Sequence, residues 1–157
     1  MKIILIAILF SSVSFLGFQI SKVYSNKERF YLELNNFVNY LISEISFLKT
    51  DLVKISENYN CTNSVFSEFL NNLKNKLLFE TEYKNIDLLN ENENLIIKNF
   101  VDNLGKNDSA TECDKLKNYL ENFKQKLSET REQNKKYGSM IKKLGALGGI
   151  LLCIIVY

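Results

Sequence analysis

The sequence predicts an all-α protein: an antiparallel helical bundle held between an N-terminal and a C-terminal transmembrane helix. Three observations carry that prediction. Ile3 to Ile20 and Leu144 to Tyr157 carry no charge, whereas every acidic residue and every basic residue except Lys2 lies between them. The 157 residues include no Pro, and three of the 6 Gly fall in the last apolar stretch, so the middle is almost free of helix breakers. Apolar residues of the middle recur at alternating steps of three and four, the period of an amphipathic helix.

The first apolar segment is long enough to span. About 18 helical residues rise roughly 27 Å, close to the thickness of a bilayer core. The second reaches that length when counted back to Met140, with Lys142 and Lys143 at the boundary, where their ammonium groups can reach the headgroups. The expected organisation is a first transmembrane helix over residues 1–21, a helical domain over 22–139 and a second transmembrane helix over 140–157. Lys22, Lys27 and Arg29 follow the first segment, and Lys135, Lys136, Lys142 and Lys143 precede the second. Cations concentrate on the cytoplasmic side of membrane helices, so the middle domain is expected in the cytoplasm. The alternative for the first segment is a cleaved signal peptide, and for the tail a buried core helix.

Within the middle, Phe30, Leu34, Phe37, Leu41, Ile45, Leu48, Leu52 and Ile55 form one stripe on a long helix. Val65, Phe66, Phe69, Leu70, Leu73 and Leu77 form a second helix, capped by Thr62, Asn63 or Ser64. Ile97, Phe100, Val101 and Leu104 form a third, ended by Gly105. Asp108 or Ser109 caps a fourth, with Glu112 completing a Ser-x-x-Glu capping box. Its seam runs through Cys113, Leu116, Leu120, Phe123 and Leu127, then turns polar at Thr130, Asn134 and Tyr137. Leu88 and Leu89 either extend a helix or pack a loop. The long first and fourth helices are expected to form an antiparallel stalk, with polar necks between bundle and bilayer.

Several function classes are disfavoured. Net charge is +2 with signs interspersed, so nothing points to nucleic acid. His is 0, which removes the commonest general base and a common metal ligand. Cys61, Cys113 and Cys153 are far apart with no CxxC pattern, suggesting neither a disulfide framework nor a zinc site. No phosphate loop, dinucleotide fingerprint or nucleophile elbow occurs. The chain is therefore expected to be no enzyme, with no catalytic, cofactor-binding or metal-binding residue, no cofactor and no small-molecule substrate. Gly145 and Gly149 form a GxxxG pair that lets helices approach closely in lipid, and Gly17 in the first segment is a candidate partner. Glu44 and Asp51, seven apart, fall on a similar helix face, which on an exposed helix is ordinarily solvated.

Four local patterns occur in order along the chain. Gly17-Phe18 closes the first segment and is followed by Ser21, Tyr24 and Arg29. Glu44-Ile45-Ser46-Phe47-Leu48-Lys49-Thr50-Asp51-Leu52 lies on the first long helix. Leu104-Gly105-Lys106-Asn107-Asp108 marks the turn into the last helix. Tyr137-Gly138-Ser139-Met140-Ile141-Lys142-Lys143-Leu144-Gly145-Ala146-Leu147-Gly148-Gly149 leads into the tail. Together they resemble the stage III sporulation protein AB family of endospore-forming bacteria, nearly end to end. The family pattern often carries Pro where Asp51 stands and Gln where Glu112 stands, and Cys61 to Asn94 matches little of it.

The resemblance implies a platform subunit of a secretion-like complex between mother cell and forespore, similar to inner-membrane platform proteins of type II secretion. Its implied partners are other stage III sporulation subunits, notably the secretion-type ATPase stage III sporulation protein AA, with self-association left open. The implied place is the mother-cell membrane around the forespore, with the central domain cytoplasmic. Arg29, Glu44 and Asp51 are the candidate partner contacts, each equally readable as a solvated helix position. The competing reading is a membrane-anchored helical-bundle sensor. Sensors, however, face their bundle outward and carry a signalling domain after the second span.

Overall fold

The computed structural model describes residues 2–48, 51–61 and 63–156, and for 1–10, 13, 48, 149, 151–153 and 155–157 no side chain is described. The described residues are helical, without a strand. Helix α1 spans Lys2–Ser43, α2 Leu52–Asn58, α3 Ser64–Phe79, α4 Glu91–Asn103, α5 Ser109–Gln133 and α6 Ser139–Val156. A π-helical turn, Glu44–Leu48, follows α1, and a second, Asn134–Gly138, joins α5 to α6. The chain divides into two compact units: Met1–Glu28 with Ser128–Tyr157, and Arg29–Leu127.

The larger unit is the expected bundle. Phe30, Leu34, Phe37 and Leu41 of α1 are buried with Ile55 of α2, Phe66, Phe69 and Leu73 of α3, Ile97 and Phe100 of α4, and Leu116, Leu120 and Phe123 of α5. Aromatic rings dominate its centre. Phe66 lies 5.8 Å from Phe30, 5.9 Å from Phe37 and 5.1 Å from Phe69, mostly tilted or edge to face, the arrangement that ring quadrupoles favour. Helices α1 and α5 run antiparallel: Asn35 Nδ2 donates to the Phe123 carbonyl at 3.1 Å, and Ser46 Oγ lies 3.1 Å from Cys113 Sγ.

Two helix starts follow from capping side chains. Asn63, one of three expected caps for α3, accepts from Val65 N and Phe66 N at 2.9 and 3.2 Å. Helix α4 starts at a full capping box, in which Asn90 accepts from Glu93 N and Glu93 accepts from Asn90 N. The segment left open in the sequence is a packed loop over residues 80–90, with Tyr83, Ile86 and Leu89 buried. Asn94, buried on α4, holds that loop. It accepts from Ile86 N at 2.8 Å and donates to the carbonyls of Ile86 and Leu89 at 3.1 and 3.0 Å. Asn94→Ala takes this partner from the buried Ile86 N and Leu89 carbonyl, while the Ile86 carbonyl keeps its bond from Leu89 N, and is expected to cost about 1–3 kcal/mol, read as a lower denaturation midpoint at unchanged m-value. A midpoint within error of the parent contradicts the clamp.

Three expectations are corrected. The stripe from Phe30 to Ile55 does not lie on one helix. After the π-helical turn, Asp51 adopts an extended backbone and its carboxylate accepts from Val53 N at 3.1 Å, which starts a separate helix at Leu52. Glu44 and Asp51 therefore share no helix face. The Ser109–Glu112 capping box does not form either. Asp108 takes the cap by accepting from Thr111 N at 3.2 Å, and those hydrogen bonds hold its carboxyl below the usual carboxylate range. Glu112 turns back instead to the Leu104–Asp108 connection. Finally, the seam on α5 does not continue through Tyr137. The second π-helical turn absorbs one residue, and the buried position passes to Gly138.

The smaller unit pairs the N-terminal part of α1 with the end of α5 and α6, again antiparallel. Glu28 meets Arg131 and Asn134, Tyr24 meets Tyr137 at a ring separation of 6.1 Å, and Gly17 meets Gly145. Among the described residues no helix is long and apolar enough to cross a membrane. The two expected spans, 1–21 and 140–157, rest in large part on side chains outside the described residues.

Candidate docking surface

Where α1 gives way to the π-helical turn, the larger unit presents its most unusual surface. Helix α1 buries Leu41 and the turn buries Ile45, but Phe47 between the stripe positions is 84% exposed. A π-helical turn widens the helix by one residue and shifts the faces that follow. An aromatic ring so placed has little to pack against in the isolated unit. Beside this turn opens a cleft of about 260 Å³, lined by Ile45, Asp51, Leu52, Gly105, Asn107, Ser109 and Glu112.

The far wall of the cleft is built by the connection from α4 to α5. Gly105 sits at φ +79°, the left-handed region that suits glycine at a helix end. A Cβ there would also fall 2.5 Å from Leu52 Cδ1, so a side chain would be strained and would push the Leu52 side chain aside. Glu112, only 4% exposed, fastens this connection. Its carboxylate accepts from Gly105 N at 2.8 Å and from Asn107 Nδ2 at 2.9 Å. Asn107 Oδ1 in turn accepts from Lys115 Nζ at 3.0 Å. These bonds fix the wall of the cleft that the α4–α5 connection builds.

The three sequence-derived contact residues are not equivalent. Asp51 lines the cleft, and its carboxylate has acceptor capacity beyond the bond to Val53 N. Glu44 is half-buried on the same turn as Phe47. Desolvation, aided by the Glu44 carboxylate, raises the Tyr40 phenol above its ordinary range. Arg29 is exposed on α1, fifteen residues before Glu44, or about 22 Å along the helix. It therefore belongs to no common patch with Glu44 and Asp51. Phe47, Glu112 and Asn107 were not singled out from the sequence as contacts. Phe47 carries a legible signal, an aromatic residue off the 3–4 stripe. The roles of Glu112 and Asn107 depend on a turn that only tertiary packing defines.

The candidate packing residues lie in the smaller unit. Gly17 and Gly145 are both buried, and a Cβ on Gly17 would stand 3.0 Å from Gly145 Cα and 3.1 Å from the Ile141 carbonyl oxygen. Gly149 lies outside the residues whose side-chain environment is described. Among the described residues no group of His, Cys, Asp or Glu is placed to hold a metal ion.

Elsewhere in the larger unit, Lys76 pairs with Asp102, while burial and the nearby Lys106 and Lys98 hold its ammonium below the usual lysine range. Tyr59 donates to Glu33 Oε2 at 3.1 Å, and its phenol is pushed well up by burial and by that carboxylate. Both read as contacts that hold helices together.

Compared with known proteins, the chain matches the family described as stage III sporulation protein AB over residues 2–157. No curated protein and no solved structure matches it.

Proposed function

The chain belongs to the stage III sporulation protein AB family, and on that premise we propose that it is a non-enzymatic platform subunit of the mother cell–forespore channel, docking the secretion-type ATPase stage III sporulation protein AA. In this reading two apolar ends anchor the chain in the mother-cell membrane, and the helical unit between them faces the cytoplasm. Family membership supports a part in sporulation. The cations flanking both apolar ends support the orientation. The observation that carries the docking reading is Phe47, an exposed aromatic ring on the turn whose Ile45 lines the cleft edged by Asp51. Aromatic residues at the centre of a contact commonly supply most of its binding energy.

Glu44 shares the turn with that ring and Asp51 edges the cleft, and both suit basic side chains of the motor. Charge reversal by Glu44→Lys is expected to weaken capture of the ATPase at least tenfold in a pull-down and to lower spore yield. The helical unfolding transition of the purified protein should stay in place, because Glu44 is only half-buried. Unchanged capture together with unchanged sporulation removes Glu44 from the docking surface. Arg29→Glu, about 22 Å away along α1, serves as the comparison and is expected to change capture little.

A further inference from the structure

The second π-helical turn sets which face of α6 meets α1, and that choice is between small and large side chains. An unbroken α-helix drifts only about 20° per seven residues. Continued from the buried Thr130 on α5, it would place Tyr137 and then Leu144 on the face toward α1. The structure instead places Gly138 and Gly145 there, eight and fifteen residues on. The added residue sits in the turn, whose wide bond runs from Ser139 N to the Asn134 carbonyl. Opposite stand Gly17 and Ser21, both buried. In the observed register glycine meets glycine, and Ser21 Oγ lies 3.5 Å from the place a Gly138 Cβ would take.

The Glu28 carboxylate of α1 clamps the turn. Asn134, its first residue, donates from Nδ2 to Glu28 Oε2 at 2.7 Å, and Arg131 Nε stands 3.4 Å from Glu28 Oε1. The clamp needs the glycine as well. A Cβ on Gly138 would fall 2.5 Å from Asn134 Oδ1, pushing the amide off its position. A charge-assisted hydrogen bond from the turn to α1 stabilises the wide backbone only while Glu28 is present and Asn134 can reach it.

We infer that the Asn134–Gly138 turn, clamped by Glu28, is a register device that holds α6 in close packing on α1. Released to ordinary α-helix, the turn moves every later residue of α6 back by one position, a rotation of about 100°. Leu144 then takes the place of Gly145, and Tyr137 that of Gly138. Side chains of that size cannot lie against Gly17 and Ser21 at the observed separation, so the two helices spread. The inference stands on the smaller unit alone and does not rest on the docking proposal.

Cross-linking reads the register directly. Full-length protein in lipid vesicles, with Cys61, Cys113 and Cys153 replaced by Ser, carries either Phe18→Cys with Lys142→Cys or Phe18→Cys with Ile141→Cys. Lys142 Nζ lies 5.7 Å from the Phe18 ring centre, so a short bis-maleimide is expected to favour the first pair. Adding Glu28→Gln or Gly138→Ala is expected to shift the ratio several-fold toward the second pair. Deleting Lys135 erases the extra residue while keeping the register. That chain should therefore link as the parent does and become indifferent to Glu28→Gln. A ratio unmoved by both clamp variants overturns the inference. So does a Lys135 deletion that changes the register or fails to assemble, because removing the bulge leaves the packing of α6 intact under this account.

Discussion

Phe47→Asp is expected to cost the chain about 2 kcal/mol or more of its affinity for the sporulation ATPase, a loss of roughly 30-fold or greater. The ring is 84% exposed, so its removal leaves no cavity. The replacement charge finds no desolvated surroundings in the free protein. Stability should move by about 0.5 kcal/mol at most. In the complex the same charge would enter an apolar contact, where its desolvation opposes binding. Titration of the ATPase onto full-length protein in vesicles reads the affinity, and denaturant unfolding reads the fold. If both stay unchanged, Phe47 does not touch the motor. If stability falls by several kcal/mol, Phe47 packs against its own chain and the surface argued for it does not exist.

The opposite behaviour is expected of Phe66→Ala. Phe66 is fully buried and its ring meets those of Phe30, Phe37, Tyr59 and Phe69. Truncation removes the transfer energy of a benzyl group and leaves a cavity among rigid neighbours, at a cost of about 3–5 kcal/mol. A domain of this size is stable by about 5–15 kcal/mol in total, so about a fifth or more of the stability is at stake. The lowered midpoint should appear in chemical denaturation. A cost below 1 kcal/mol would mean that the aromatic cluster is not the core of the unit. The contrast between Phe47 and Phe66, equal in chemistry and opposite in consequence, separates a contact residue from a packing residue.

Much of the bundle is legible in the sequence because it is local. Asn63 directly before an apolar 3–4 pattern, Gly105 directly after one, and the seam from Cys113 to Leu127 each report their role through immediate neighbours. The loop over residues 80–90 is not legible, because Tyr83 and Ile86 are buried by tertiary packing and Asn94, from another element, pins Ile86 and Leu89. The break at Asp51 is hidden for a different reason. The apolar period runs across it unchanged, and the stop is made by one carboxylate choosing Val53 N. The π-helical turns have no compositional mark, so one-residue slips such as Tyr137 to Gly138 escape a reading by period. Of the candidate contacts, Asp51 lines the cleft and Glu44 shares the turn with Phe47, while Arg29 stands apart. Charge and motif position alone could not separate them, because the difference is distance along α1.

Docking of a motor requires the unit from Arg29 to Leu127 to face the cytoplasm. Cysteine accessibility in intact sporulating cells tests this most directly. Asn71 is exposed on α3, so Asn71→Cys in a chain with its native cysteines replaced offers a clean probe. An impermeant maleimide is applied before and after lysis. The probe is expected to be protected in intact cells and labelled on lysis. Labelling of intact cells would place the unit outside and contradict the docking proposal.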